Sequence, residues 1–177
     1  STLLVKTWKR ALIIIAIGLL LNLIPNFNFE TVRIPGVLQR IGLAYLCGAL
    51  LTLRTSWRQQ IGILVVLLFG YWALMTLVPV PDTGVAGRFV LDKPDQLLSA
   101  WLDRTILGTN HLWSGSKTWD PEGLLSTVPA IGTMMMGTFA GRWISEQQRP
   151  LSERLSALFA VGALVMMAGL VWNWSFP

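Results

Sequence analysis

The chain has 177 residues, of which 53% are hydrophobic and 13% charged, with 14 lysines and arginines, 9 acidic residues and one histidine. A soluble domain carries roughly 25% charge, so this composition excludes an ordinary soluble surface and points to a chain solvated by lipid. A single cysteine excludes an intrachain disulfide, and a lone histidine excludes a histidine metal site built within the chain.

Five runs carry no charged residue at all: 11–25, 41–53, 61–80, 123–141 and 155–177. Each approaches or reaches the ~20 residues that cross a ~30 Å hydrocarbon layer at 1.5 Å per residue. They predict an all-α, polytopic transmembrane helix bundle of about five spans, near 10–25, 38–53, 61–79, 123–142 and 155–174, forming a single domain. Four apolar runs follow the first, which argues against a cleaved signal peptide. Lys6, Lys9 and Arg10 lead into the first span with Trp8 at the headgroup level. Pro25 and Asn26 break it. The second span starts near Pro35, whose missing amide proton is harmless at a helix start, and carries Gln39 and Arg40 in its first turns. Arg40 has two readings: a snorkelling anchor at the membrane surface, or, together with Arg33, a partner of the outer acidic groups or of an anionic ligand. Cys47, between Leu46 and Gly48, has no activating charge beside it and reads as a packing residue. Arg54 to Arg58 forms a short turn into the third span.

Residues 80–122 form the one long polar insert. Leu97, Leu98, Trp101, Leu102 and Ile106 have the spacing of a short amphipathic helix, which places Asp103 and Arg104 on its polar side. Gly108 to Asn110 stops that helix and delivers His111. At the far end of the insert, Asp120 suits a helix N-cap, Pro121 the first helical position and Glu122 the first turn of the fourth span. Capping does not account for Ser126, Thr127, Gly132 and Thr133 on the same helix, which favour close packing or a polar cavity. Titratable groups at the mouth of a membrane helix are costly to keep and mark a functional site.

With a cytoplasmic start, the inner segments hold eight basic residues against Glu146 and Glu153. The outer segments hold six basic residues against seven acidic ones. That asymmetry follows the positive-inside rule, so the net charge of +5 reflects membrane topology and not nucleic-acid binding. Under that orientation the insert faces the periplasm or another topologically external space, and a bacterial inner membrane with a periplasmic insert is the expected location.

Three stretches together resemble one family: Arg33-Ile34-Pro35-Gly36-Val37-Leu38-Gln39-Arg40-Ile41, Asn110-His111-Leu112-Trp113, and Asp120-Pro121-Glu122-Gly123-Leu124-Leu125-Ser126-Thr127. In this order they are similar to the heparan-alpha-glucosaminide N-acetyltransferases and their bacterial membrane relatives. The resemblance implies an acetyl-CoA-dependent transferase that N-acetylates an amino sugar of the glucosamine type across a lipid bilayer. It also implies that the chain is a fragment, expected to be inactive alone, lacking the N-terminal segment with the family's catalytic histidine and further C-terminal helices. His111 lies in a different motif and does not inherit that role. The substrate-binding candidates are Glu122 and Asp120, for the ammonium or hydroxyls of the sugar, Arg40 and Asn110, which order the site, and His111, which orients substrate or donates a hydrogen bond. No CoA-binding loop is recognisable, and a homo-oligomer is compatible with the sequence. A membrane carrier for amino sugars is the alternative, because polar groups at helix mouths serve transport as readily as catalysis.

Overall fold

The computed structural model describes residues 2–24, 27–174 and 176. Pro25 and Asn26, expected to break the first helix, and Ser175 and Pro177, in the last apolar run, lie outside the described residues. Among the described residues six α-helices follow in order: α1 (Thr2–Leu23), α2 (Val37–Arg54), α3 (Trp57–Leu77), α4 (Leu98–Leu107), α5 (Thr127–Ile144) and α6 (Leu151–Trp172). Among the described residues there is no strand, only one isolated bridge between Pro79 and Ala86.

Three of these helices, α2, α3 and α6, are long and apolar enough to cross a membrane. The other two long helices differ in composition. Lys6, Lys9 and Arg10 lie within α1, because the helix starts well before the apolar run. Threonine, glycine, proline and Arg142 dilute α5. Large apolar side chains point outward along the helices, including Val66 at 70% exposure and Leu164 at 65%. A lipid solvent removes the cost of that display.

The chain divides into two compact units, Ser1–Met134 and Met135–Pro177. In the first, small residues bring α1 and α2 together. Gly42 packs where a Cβ would come 3.1 Å from the Ala11 carbonyl oxygen, and Gly18 lies against the buried Gln39. Close backbone approach of this kind is the usual basis of helix association in lipid, where hydrophobic burial gains little. Asn22 Nδ2 then donates to the Arg33 carbonyl at 2.9 Å and ties the end of α1 to the segment entering α2. The turn from α2 to α3 is closed by the buried Gln60, whose Nε2 donates to the carbonyls of Thr52 at 3.1 Å and Thr55 at 2.8 Å. Ser56 N donates to Gln59 Oε1 at 2.8 Å, covering one of the open amides at the start of α3.

The fourth apolar run begins its helix later than expected. Residues 121–126 run through turns, with Gly123 N bonded to Asp120 O at 3.0 Å and Thr127 N to Leu124 O at 3.2 Å, and α5 starts only at Thr127. Pro129 is its third residue, within the first turn, where a missing amide proton costs nothing. Asp120 therefore does not cap the helix. Its Oδ1 accepts from Glu122 N at 2.9 Å, a local turn two residues long, because its carboxylate is committed elsewhere.

In the second unit, the loop between α5 and α6 is held by Trp143 Nε1 donating to Arg154 O at 3.0 Å. The Arg149 guanidinium stacks 5.3 Å from the Trp143 ring centroid.

Candidate functional site

The segment before α2, the end of the insert and the turn before α5 meet at Arg33. Its Nε donates to Asp120 Oδ2 at 2.8 Å and its Nη2 to Asp120 Oδ1 at 2.5 Å, a forked pair matched to a carboxylate. The same Nη2 reaches Glu122 Oε2 at 2.5 Å. The Asp120 side chain is fully buried, while Glu122 and Arg33 keep 16% and 24% of theirs in contact with the surroundings. The hydrogen bond to Asp120 is the main reason that the Arg33 guanidinium is held above its ordinary pKa, against the opposing effect of burial. One cation therefore serves two carboxylates, and the trio carries an excess negative charge. Glu122 Oε1 has no hydrogen-bond partner among the described residues, so it is the oxygen free to accept from a ligand.

The remaining candidates fall around this trio. His111 Nδ1 lies 2.8 Å from the Val32 carbonyl oxygen, and the His111 carbonyl accepts from Ile34 N at 3.0 Å, so the histidine brackets Arg33 from both sides in sequence. Arg40, in the first turn of α2, reaches the Pro121 carbonyl at 3.3 Å. Asn110 is exposed and its side chain makes no hydrogen bond among the described residues, so the structure does not draw it into the trio. Below Arg40 a cleft of about 580 Å³ opens between α2 and the first turns of α5, lined by Arg40, Tyr45, Ser126, Pro129, Thr133 and Met134 among others. That volume is within the range of small-molecule sites. No group of three or more metal-ligating side chains occurs among the described residues.

Two residues of this region were not among the sequence candidates. The sequence offers Arg33 as a partner of the outer acidic groups or of an anionic ligand; the structure pairs it with Asp120 and Glu122. The spacing of α4 predicts Asp103 on its polar side; the structure instead buries it. Arg104 does face outward, and its Nη1 donates to the carbonyls of Asp95 at 2.8 Å and Thr118 at 2.7 Å. Asp103 is 0% exposed, because the turn 120–124 lies over it. Its Oδ1 accepts from Leu124 N at 2.9 Å and its Oδ2 has no partner among the described residues.

Burial pushes the Asp103 carboxyl from 3.8 up to about 6; the Leu124 amide acts against the rise, the charge of Asp120 adds to it, and Arg104 opposes it. A folded pKa above the unfolded one means that the native state holds the proton longer. Stability from this group is therefore highest below pH 3.8 and declines as pH rises to about 6. The full loss is about 3 kcal/mol, at ~1.4 kcal/mol per pH unit. Asp103→Asn is expected to flatten that decline. Thermal unfolding at pH 4 and pH 7 reads it directly, and an equal decline in both proteins counts against the assignment.

No family model matches the chain. Two curated proteins do resemble it. The heparan-alpha-glucosaminide N-acetyltransferase of Mus musculus is 28% identical over 88% of the chain, and that of Homo sapiens is 29% identical over 75%. The chain corresponds to 31% of the mouse protein and 26% of the human one, so it spans less than a third of the length of the relatives it matches. The three motifs on which the site is built lie in a chain that is a distant relative of the heparan-alpha-glucosaminide N-acetyltransferases.

Proposed function

We propose that this chain forms the acceptor side of a transmembrane acyltransferase that uses acetyl-CoA to N-acetylate an amino sugar of the glucosamine type on the external face of the membrane. The observation that carries this reading is the trio itself: two carboxylates share one guanidinium, and Glu122 keeps an oxygen available in the turn before α5. An excess negative charge there favours the ammonium of an amino sugar, and carboxylate oxygens accept from its hydroxyls. The relatives' name supports the acetyl group and the glucosaminide, and the charge asymmetry of the loops supports an external orientation of the insert.

In the reaction, the bound ammonium gives up a proton and the free amine attacks the thioester carbonyl carbon of acetyl-CoA. A C–N bond forms, the C–S bond breaks and the thiol leaves. Glu122 and Asp120 hold the acceptor before this step, with Arg33 fixing both carboxylates. Arg40 is placed to order the turn through Pro121. The general base that removes the proton is not assigned among the described residues.

Glu122→Gln in the complete protein is expected to lower acetyl transfer to glucosamine by at least ~10-fold, about 1.4 kcal/mol in barrier. The assay is labelled acetyl appearing on external glucosamine in proteoliposomes loaded with acetyl-CoA. Unchanged transfer by a folded variant removes Glu122 from the site. Uptake of intact glucosamine with no acetyl-CoA present would overturn the transferase reading in favour of a carrier.

A further inference from the structure

Asp103 is a buried carboxyl that the acetyl-transfer reading does not use. Four observations concern it. It is 0% exposed on a short helix, α4, whose neighbours in sequence, Arg104 and Thr105, reach outward. Its Oδ1 is the acceptor for Leu124 N, in the turn between Glu122 and α5. Its Oδ2 has no partner among the described residues. A Cβ built on Gly123 would fall on that Oδ2, so the carboxyl fills the space that only glycine leaves.

The turn it touches carries the site. Between Asp120 and Thr127 the backbone has bonds of its own from Gly123 N and Thr127 N, but the Leu124 amide is satisfied by Asp103. A buried amide without an acceptor costs the full desolvation penalty, so losing this carboxyl would favour a rearranged turn. Glu122 lies two residues before Leu124 in the same turn, so a rearrangement there bears on its contact to Arg33.

We propose that Asp103 is a positioning residue for the carboxylate pair: by gripping the Leu124 amide over Gly123 it sets the turn that presents Asp120 and Glu122 to Arg33 and to a cationic acceptor. The last clause rests on the amino-sugar reading; the hold on the turn does not. The charged and titratable groups around Asp103 are Asp120 from the turn, Arg104 on its own helix and Tyr71 from α3, and Tyr71 is also within electrostatic reach of Arg40 on α2. No ion pair among the described residues involves Asp103. When ionised, Asp103 adds to the negative field of Asp120 and Glu122, and when protonated it does not. The carboxyl changes state at about pH 6, so the affinity of the site for an ammonium should rise as pH passes upward through that value.

Asp103→Asn and Asp103→Ala separate these roles, each made in the complete protein in detergent. The asparagine oxygen still accepts from Leu124 N but does not titrate; alanine does neither. Hydrogen exchange of the peptide covering 120–126 should accelerate by at least ~10-fold in Asp103→Ala and stay within about threefold of the parent in Asp103→Asn. Equal protection in all three proteins overturns the hold on the turn, whether or not the protein acetylates anything. With glucosamine as acceptor, the parent KM should fall about three- to tenfold between pH 5 and pH 7, whereas Asp103→Asn should show no inflection near pH 6 and an unchanged kcat. A parent-like inflection in Asp103→Asn overturns the charge effect. Should Asp103→Ala not fold, the asparagine pH profile decides the matter, because a purely structural role would leave that inflection in place. Absence of acetyl transfer in the parent protein removes the transferase reading alone and leaves the exchange comparison to judge Asp103.

Discussion

Arg33→Ala is expected to destabilise the complete protein by about 3–5 kcal/mol, the range for breaking a buried ion pair by removing one partner. The loss comes mainly from what remains. Asp120 is left fully buried with only the Glu122 amide to satisfy it, and Glu122 stands beside it with no cation between the two carboxylates. Arg33→Lys should recover little of this, since one ammonium cannot reproduce the fork that Nε and Nη2 make to the two oxygens of Asp120. Scanning calorimetry or a thermal melt in detergent measures both variants. A shift of less than ~1 kcal/mol for Arg33→Ala would show that the trio is a surface pair of ordinary weakness. The triple variant with Asp120→Asn and Glu122→Gln should regain part of the stability, because the stranded charges are then gone.

Gly123→Ala is the second large effect, with an expected cost of about 1–3 kcal/mol from overpacking. Many glycines in this chain face open space, including Gly62, Gly70, Gly137 and Gly169, and alanine there has nothing to strike. At Gly123 the added methyl meets the Asp103 carboxyl, which is buried and already bonded to Leu124 N. It must leave that amide or push the turn outward. The two changes should therefore be non-additive: in a background of Asp103→Ala, adding Gly123→Ala should cost less than ~0.5 kcal/mol more. Additive losses in that cycle would mean that the methyl collides with something other than the carboxyl.

The membrane character of the chain was legible because it depends on composition alone. Charge-free runs announce apolar helices wherever they lie, and α2, α3 and α6 meet the length and hydropathy of a span. Where the reading needed long-range partners it went astray. Asp120-Pro121-Glu122 satisfies every local rule for starting a helix, yet Arg33, 87 residues away, takes the Asp120 carboxylate, and α5 waits until Thr127. Asp103 sits on the polar stripe of α4 by periodicity, and no local signal reveals that a later turn will cover it. The two arginines shared one description in the sequence; folding separated them, Arg33 to the carboxylates and Arg40 to the Pro121 carbonyl and the rim of the cleft. For a site assembled from residues 33, 103, 111, 120 and 122, the informative pairs are distant in sequence, and spacing rules see only near neighbours.

The contact between His111 and Val32 fixes more than a position. A carbonyl oxygen carries no hydrogen, so the 2.8 Å approach requires the proton to sit on Nδ1. That proton is spent on the main chain beside Arg33, while the His111 carbonyl holds the next residue, Ile34, through its amide. A change that turns the ring therefore loosens the very segment that carries the guanidinium.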